Sequence, residues 1–292
     1  MKGTVALSIG ELFASSFMWR AFVAASAVAL AAPLLGGFLV QRRISLIGDG
    51  VGHLAFSGVA IGVVLGISPV LGALGLAVLG AVGLEWFRQR GRLTGDLALA
   101  LIFYLGLAAG VVVLSAVDRY DASVLGFLTG SILVLSWSDV WLVVAFSAVA
   151  AGLALLFYRQ LLAVALDEET ARAAGLPVDP LNILFVALIA VLVAGGMRTV
   201  GLLLVASLLV VPVAASSRMT HSFRGAVAAG SALGLVSAWA GLVTSWFGNL
   251  SPGGSIVLAA VVVFGASALV GRRTARRHGP PAAATAPSRR GA

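Results

Sequence analysis

Asp49 and His53 stand four residues apart in the segment Ile44-Ser45-Leu46-Ile47-Gly48-Asp49-Gly50-Val51-Gly52-His53-Leu54-Ala55-Phe56-Ser57-Gly58, which runs on into an apolar helix. Residues i and i+4 share one helix face, roughly 6 Å apart along the axis. A carboxylate and an imidazole there offer oxygen and nitrogen ligands suited to a divalent transition metal. Ionisable groups placed in an apolar span are expensive and mark a pathway or a site. Two ligands are too few for a tight site, since structural zinc sites use four. Transient, partly hydrated or dimer-completed coordination suits a path that must release its ion. Ser57, one turn further on the same face, can add an oxygen. The plainer alternative is a hydrogen-bonded Asp–His pair that ties helices together.

The elements that position this pair are membrane spans. The chain is 60% hydrophobic and 10% charged, with mean hydropathy +1.09, against about 25% charged in soluble domains. Apolar runs at 18–40, 46–67, 68–87, 96–117, 138–158, 181–196, 198–216, 225–247 and 254–271 predict an all-α polytopic membrane protein. About nine transmembrane helices are expected, with eight to ten possible. A shorter stretch, 121–136, reads as a re-entrant or interfacial helix. The first run is too long and too poorly flanked to be a signal peptide. Pro33 with Gly36-Gly37, Gly195-Gly196 and Pro212 interrupt three runs, either because they line a cavity or because helices pack closely there.

Arginine placement orients the chain. With the amino terminus outside and the carboxyl terminus inside, the inner loops hold Arg42, Arg43, Arg88, Arg90, Arg92, Arg159, Arg172, Arg218 and Arg224, and the tail adds six more. Only Lys2, Arg20, Arg119 and Arg198 remain outside. The +8 charge is therefore a topology signal in a multi-pass cytoplasmic-membrane protein, not a nucleic-acid signal. Residues 1–271 are expected to form the transmembrane domain, and 272–292 a disordered basic cytoplasmic tail.

One inner loop is long, at 159–180. Asp167 can cap a helix whose first turn holds Glu168 and Glu169, and whose end is marked by Gly175 and Pro177. This short helix, charged on one side and small on the other at Ala171, either docks a partner or simply reverses the chain.

Other polar residues read more plainly. Asp96 reads as an N-cap and charge partner, and Glu85 beside Trp86 and Arg88 as an interfacial anchor. Asp118 and Asp121 lie on the outer face, where they attract cations, contact a delivery protein or cap a helix. His221 and His278 read as bystanders. The chain has no cysteine, so thiolate sites are excluded, and its only lysine is Lys2, so it carries no P-loop. No nucleophile–base motif of a hydrolase is present, and the chain is not read as an enzyme.

Four blocks resemble the permease subunits of bacterial zinc/manganese/iron ABC importers. They are Ala32-Pro33-Leu34-Leu35-Gly36-Gly37 through Asp49 to His53; Asp121 with Leu125-Gly126-Phe127-Leu128-Thr129-Gly130; the Asp167–Gly175 loop; and Val200-Gly201-Leu202-Leu203-Leu204-Val205 through Pro212 to Ala214. Thr129 departs from the family's frequent Phe. The resemblance covers roughly residues 15–270. It implies a homodimer around a central path, two cytoplasmic ATPase subunits carrying ATP, and an extracytoplasmic metal-binding protein. It implies Zn2+, Mn2+ or Fe2+ as cargo, with no prosthetic group. Asp49 and His53 match the family's acidic and imidazole pathway positions. Asp167, Glu168, Glu169, Ala171 and Gly175 fall in its coupling helix. The alternatives are an ABC permease for a metal chelate (siderophore or corrinoid) and an ion-gradient-driven secondary transporter.

Overall fold

The computed structural model describes residues 11–12, 15–91, 95–116, 130, 135–220 and 222–277. Among them are eleven helices and no strand. They are α1 (Ser16–Arg42), α2 (Ile47–Val64), α3 (Pro69–Gln89), α4 (Gly95–Ala116), α5 (Trp137–Leu156), α6 (Tyr158–Leu166), α7 (Glu168–Ala173), α8 (Val178–Val200), α9 (Leu202–Ser216), α10 (Phe223–Gly248) and α11 (Pro252–Arg277).

Every one of the nine apolar runs is a helix, and eight are long and apolar enough to cross a membrane. The ninth, α9, has 15 residues, about 22 Å of rise against a hydrocarbon core of about 30 Å. It nonetheless returns the chain to the end from which α8 set out. Its Leu202 packs at Gly52 and its Leu209 at Gly48, so it runs antiparallel to α2. Its last residue, Ser216, donates its hydroxyl to the Ala226 carbonyl near the start of α10 (2.6 Å). The alternation inferred from nine runs therefore survives a short ninth.

Most of the expected re-entrant stretch, 121–136, lies outside the described residues; Leu135 and Ser136 are not helical. Asp118, Asp121, Thr129, His221 and His278 also lie outside them, as does the side chain of Asp96. The last helix continues through Arg277, past the expected boundary at 271. Ala and Arg are good helix formers, and the first strong breaker is Gly279 with Pro280 and Pro281.

The expected interruptions resolve as packing. Pro33 sits inside an unbroken α1 and Pro212 inside α9. Gly195 and Gly196 are helical, pressed against Phe146 and Val205. The break falls instead at Gly201, whose φ of 88° a side chain would resist.

Two layers follow. Helices α1, α2 and α8 are buried along most of their length, with α9 packed between α1, α2, α10 and α11. Helices α3, α4, α5, α10 and α11 surround them and turn large apolar side chains outward, among them Leu79, Tyr104, Trp141 and Val262. In lipid no hydrophobic force draws helices together, so contact depends on close van der Waals fit. A Cβ on Gly36 would overlap the Leu209 backbone carbonyl, and Gly58 and Gly72 face each other across α2 and α3.

Gly36→Val should therefore lower stability by about 1–3 kcal/mol through overpacking against backbone. Gly75→Ala, which meets nothing within 4 Å, should leave stability unchanged or raise it slightly. Thermal unfolding of both variants in one detergent checks the contrast.

Candidate functional site

Helix α2 carries the Asp/His pair, and its glycines determine where the pair faces. Gly48 and Gly52 meet Leu209 and Leu202 of α9, and Gly50 meets Ile102 of α4. On a 100° helical wheel, Asp49 and His53 fall between these two covered faces. Both are half-buried, whereas Gly48, Gly50, Val51, Gly52, Leu54 and Ala55 around them are buried. Just beyond His53 the helix is covered, because Phe56, Val59 and Ala60 are buried too.

The two side chains are not spent on each other. Among the described residues no ion pair or side-chain hydrogen bond includes Asp49 or His53. The Nδ1 of His53 is enclosed without a hydrogen-bond partner, and the ring stands edge-on to Phe103 at 4.4 Å between centroids. A buried imidazole nitrogen without a partner costs free energy that a ligand would offset. Ser57 behaves differently. It is fully buried and donates its hydroxyl to the Gly106 carbonyl, tying α2 to α4. Among the described residues no group of three or more His, Asp or Glu could hold a metal, so one copy offers only a pair.

A second polar assembly lies at the end of the bundle where α1 stops and α2, α6 and α10 start. Helix α7 has the shape expected from its sequence. Asp167 accepts from the Glu169 and Thr170 amides (2.9 and 3.2 Å) and from the Thr170 hydroxyl (2.6 Å). The Thr170 hydroxyl and amide hold the Asp167 carboxyl below the usual carboxylate range. The cap is thus intact at neutral pH and is lost only as pH falls through that lowered value. Gly175, at φ 82°, ends the helix, with Gly175 donating to Arg172 and Leu176 to Ala171. Ala171 is buried, Glu168 half-buried, and Glu169 reaches outward.

The sequence did not reveal how α7 is held. Glu168 accepts from Asn182 of α8 (3.1 Å) and pairs with Arg88 of α3 (3.3 Å). The Asn182 side chain, 1% exposed, accepts in turn from Arg42 at the end of α1 (2.7 Å). Arg88 grips Glu85 with two donors (2.8 and 2.7 Å). Glu85 is therefore a buried ion-pair partner rather than only an interfacial anchor. Arg42 also lies 4.7 Å from the Phe185 ring, yet its Nε and one terminal nitrogen are enclosed without a hydrogen-bond partner. Asn182 was legible only as a lone amide opening an apolar run. Residues Arg42, Glu85, Arg88 and Glu168 line one cavity of about 350 Å³. At the other end of the bundle, Ser136 and Asp139 form a reciprocal cap on α5, and Asp139 pairs with Arg198 at 3.1 Å.

Residues 14–271 match the ABC 3 transport family. A probable metal transport system membrane protein of Treponema pallidum is 36% identical over 248 residues, covering 85% of this chain and 93% of that one. The manganese transport system membrane protein MntC of Listeria monocytogenes is 29% identical, over 88% and 92% of the two chains. Among solved structures, PsaBC from Streptococcus pneumoniae in complex with Fab overlays with a TM-score of 0.80 at 26% identity, covering 94% of this chain and 99% of that chain.

The polar assembly predicts a local effect. Asn182→Leu removes the donor to Glu168 and the acceptor for Arg42 while roughly keeping volume. Leaving such groups unpaired costs about 1–3 kcal/mol. Amide exchange across residues 168–174 should speed up by about ten-fold or more, with α10 unchanged, in a hydrogen-exchange measurement on the purified protein.

Proposed function

This chain belongs to the ABC 3 transport family, and we propose that it is the membrane subunit of an ATP-driven importer of manganese or a similar divalent ion. It is a transport subunit rather than an enzyme. The observation that carries the cargo assignment is the Asp49–His53 stripe on the one open side of α2, with His53 Nδ1 enclosed and unpartnered. Nitrogen and oxygen ligands without sulfur suit manganese, ferrous iron or zinc. MntC of Listeria monocytogenes and ScaB of Streptococcus gordonii are both named for manganese, which favours that ion here.

A second copy of the chain completes the path in this reading. Two open α2 faces brought together give two carboxylates and two imidazoles. Such a set holds a partly hydrated ion long enough to select it and loosely enough to release it. The excess of arginine at one end supports a cytoplasmic position for that end, with the amino terminus outside and the carboxyl terminus inside. An extracytoplasmic binding protein delivers the ion at the opposite end.

The driving subunit is a separate ATPase that grips α7. Displacement of α7 pulls on Glu168, and through Asn182 on Arg42, the last residue of α1. The turn Arg43–Leu46 then leads to Ile47, two positions before Asp49. A push on α7 thus reaches the metal ligands through hydrogen bonds and one tight turn.

Proteoliposomes holding this chain, its ATPase and its binding protein test the reading with radioactive manganese. Asp49→Ala/His53→Ala should cut ATP-dependent uptake at least ten-fold while ATP hydrolysis and assembly persist. Unchanged uptake would make the pair structural and leave the metal cargo resting on family likeness alone. The same vesicles carrying Asn182→Leu should hydrolyse ATP yet move several-fold fewer ions per ATP. A proportional loss of both would reduce Asn182 to a packing role.

A further inference from the structure

A groove of about 520 Å³ opens at the arginine-rich end, far around the bundle from α2. Its walls come from four helices: Leu34 of α1, Leu155 and Leu156 of α5, Arg159 and its neighbours in α6, and Arg224 with Val227 in α10. It exists because α5 does not run straight into α6. Phe157, at φ −96° and ψ 16°, bends the chain between them. The bend turns Arg159 toward the start of α10, where Ser222 caps the helix and Arg224 follows.

Charge and polarity are divided within this groove. Leu155 and Leu156 are 60% and 70% exposed, on a helix that otherwise spans the membrane. Arg159 and Arg224 are also exposed. Among the described residues no ion pair includes either of them. Two other arginines at this end do have acid partners, Arg88 in Glu85 and Glu168 and Arg172 in Asp179. The Arg224 guanidinium lies 5.4 Å from the Tyr158 ring, which itself rests on Phe38 and Phe223 (centroids 6.0 and 5.9 Å). One arginine is thereby braced from below by an aromatic cluster reaching into α1.

We propose that this groove is a binding site for an acidic phospholipid of the inner leaflet, its phosphate held by Arg159 and Arg224 and its acyl chains laid along Leu34, Leu155 and Leu156. Guanidinium groups match phosphate oxygens with paired donors. Basic recesses between spans on the cytoplasmic side suit anionic headgroups. A free phosphate would use the arginines and leave the leucine wall bare. A zwitterionic lipid would bring a choline cation to a doubly cationic rim. The proposal rests on the membrane-spanning reading and not on the metal. Occupancy would brace α10 against α1, because Gly37 of α1 already meets Val227 and Phe223 of α10 beside the same groove.

The test is thermal unfolding of the full chain in detergent, alone and assembled with its ATPase, on titration with dioleoyl phosphatidylglycerol, dioleoyl phosphatidylcholine or inorganic phosphate. Phosphatidylglycerol should raise the unfolding temperature saturably, and the other two should not. Arg159→Gln/Arg224→Gln should weaken the apparent affinity at least ten-fold, and Arg159→Lys/Arg224→Lys by less. Equal shifts in the native and Gln variants would overturn the site, as would phosphatidylcholine or phosphate reproducing the whole effect. A shift that disappears once the ATPase is bound would assign the groove to that partner and also overturn the proposal. Native and Gln proteins with the same starting unfolding temperature show that the comparison reads binding rather than folding.

Discussion

Close approach around α2 is the constraint on which the rest of this molecule depends. Lipid cannot squeeze helices together, so α2 is held by surface fit, and the fit is made of glycine. Gly58 faces Gly72 of α3, Gly106 of α4 lies against the His53–Leu54 backbone, and Gly48 and Gly52 admit the leucines of α9. Once three directions are filled, two of them to backbone contact and the third by leucine side chains, one stripe is left. The stripe holds the two side chains that are hardest to bury. The same packing that fixes α2 therefore exposes Asp49 and His53, and no separate device is needed to aim them. Ser57 marks where the stripe closes, since its hydroxyl is already committed to Gly106.

A second consequence concerns how motion can reach that stripe. A helix held on two sides by backbone contact and on a third by interlocked leucines does not bend residue by residue; it shifts as a body or not at all. The hold on its leading end is the Arg43 turn. There a non-glycine residue takes a left-handed φ of 59°, with Ile44 donating back to Leu39 and Arg43 to Val40. Arg42 joins this turn to Asn182 and so to Glu168 on α7. Arg42, with two enclosed nitrogens left unpartnered, lines the same cavity as Glu168 and Arg88. Glu168 is only weakly paired with Arg88 at 3.3 Å, and Arg42 has donors to spare. A small displacement of α7 would exchange one arginine partner for the other, giving two discrete arrangements rather than a continuous slide. That is the kind of element through which a distant site can bias a pathway.

Much of this was legible in the amino-acid sequence because membrane spans and caps are local signals. Run length gave all nine helices, and Asp167 with Gly175 gave both ends of α7. The errors came from residues whose meaning is set by neighbours far away in the chain. Gly195-Gly196 looked like a joint, but Phe146 and Val205 make it a packed helix, and the joint moved to Gly201. Pro33 looked like a break, yet α1 runs through it. Asn182 was passed over because a single amide in an apolar run carries no periodicity. Its role appears only when Arg42, 140 residues earlier, and Glu168 are brought to it. Ser57 shared the right helical face with His53, but a wheel cannot show that α4 covers that face one turn later.

The distribution of charge ties these parts into one gradient of constraint. At the end bearing Arg198, that residue pairs with Asp139 beside the reciprocal Ser136 cap, and Arg20 donates to the Leu135 carbonyl. At the arginine-rich end, paired acids lock α3, α7 and α8 together, while Arg159 and Arg224 are left without acids on the flank between α5 and α10. The Arg88–Glu85 pair is the buried one, where a charge without a partner is costly, whereas Arg172 and Asp179 pair at the surface. Unmatched arginines at the membrane boundary face a solvent that itself carries negative charge. The same residue type thus does two jobs, separated by whether an acid from another helix can reach it. The ends of α1 and α10 lie between the two sets. Forces arriving from a bound motor and from the surrounding lipid would meet there, one short turn away from Asp49.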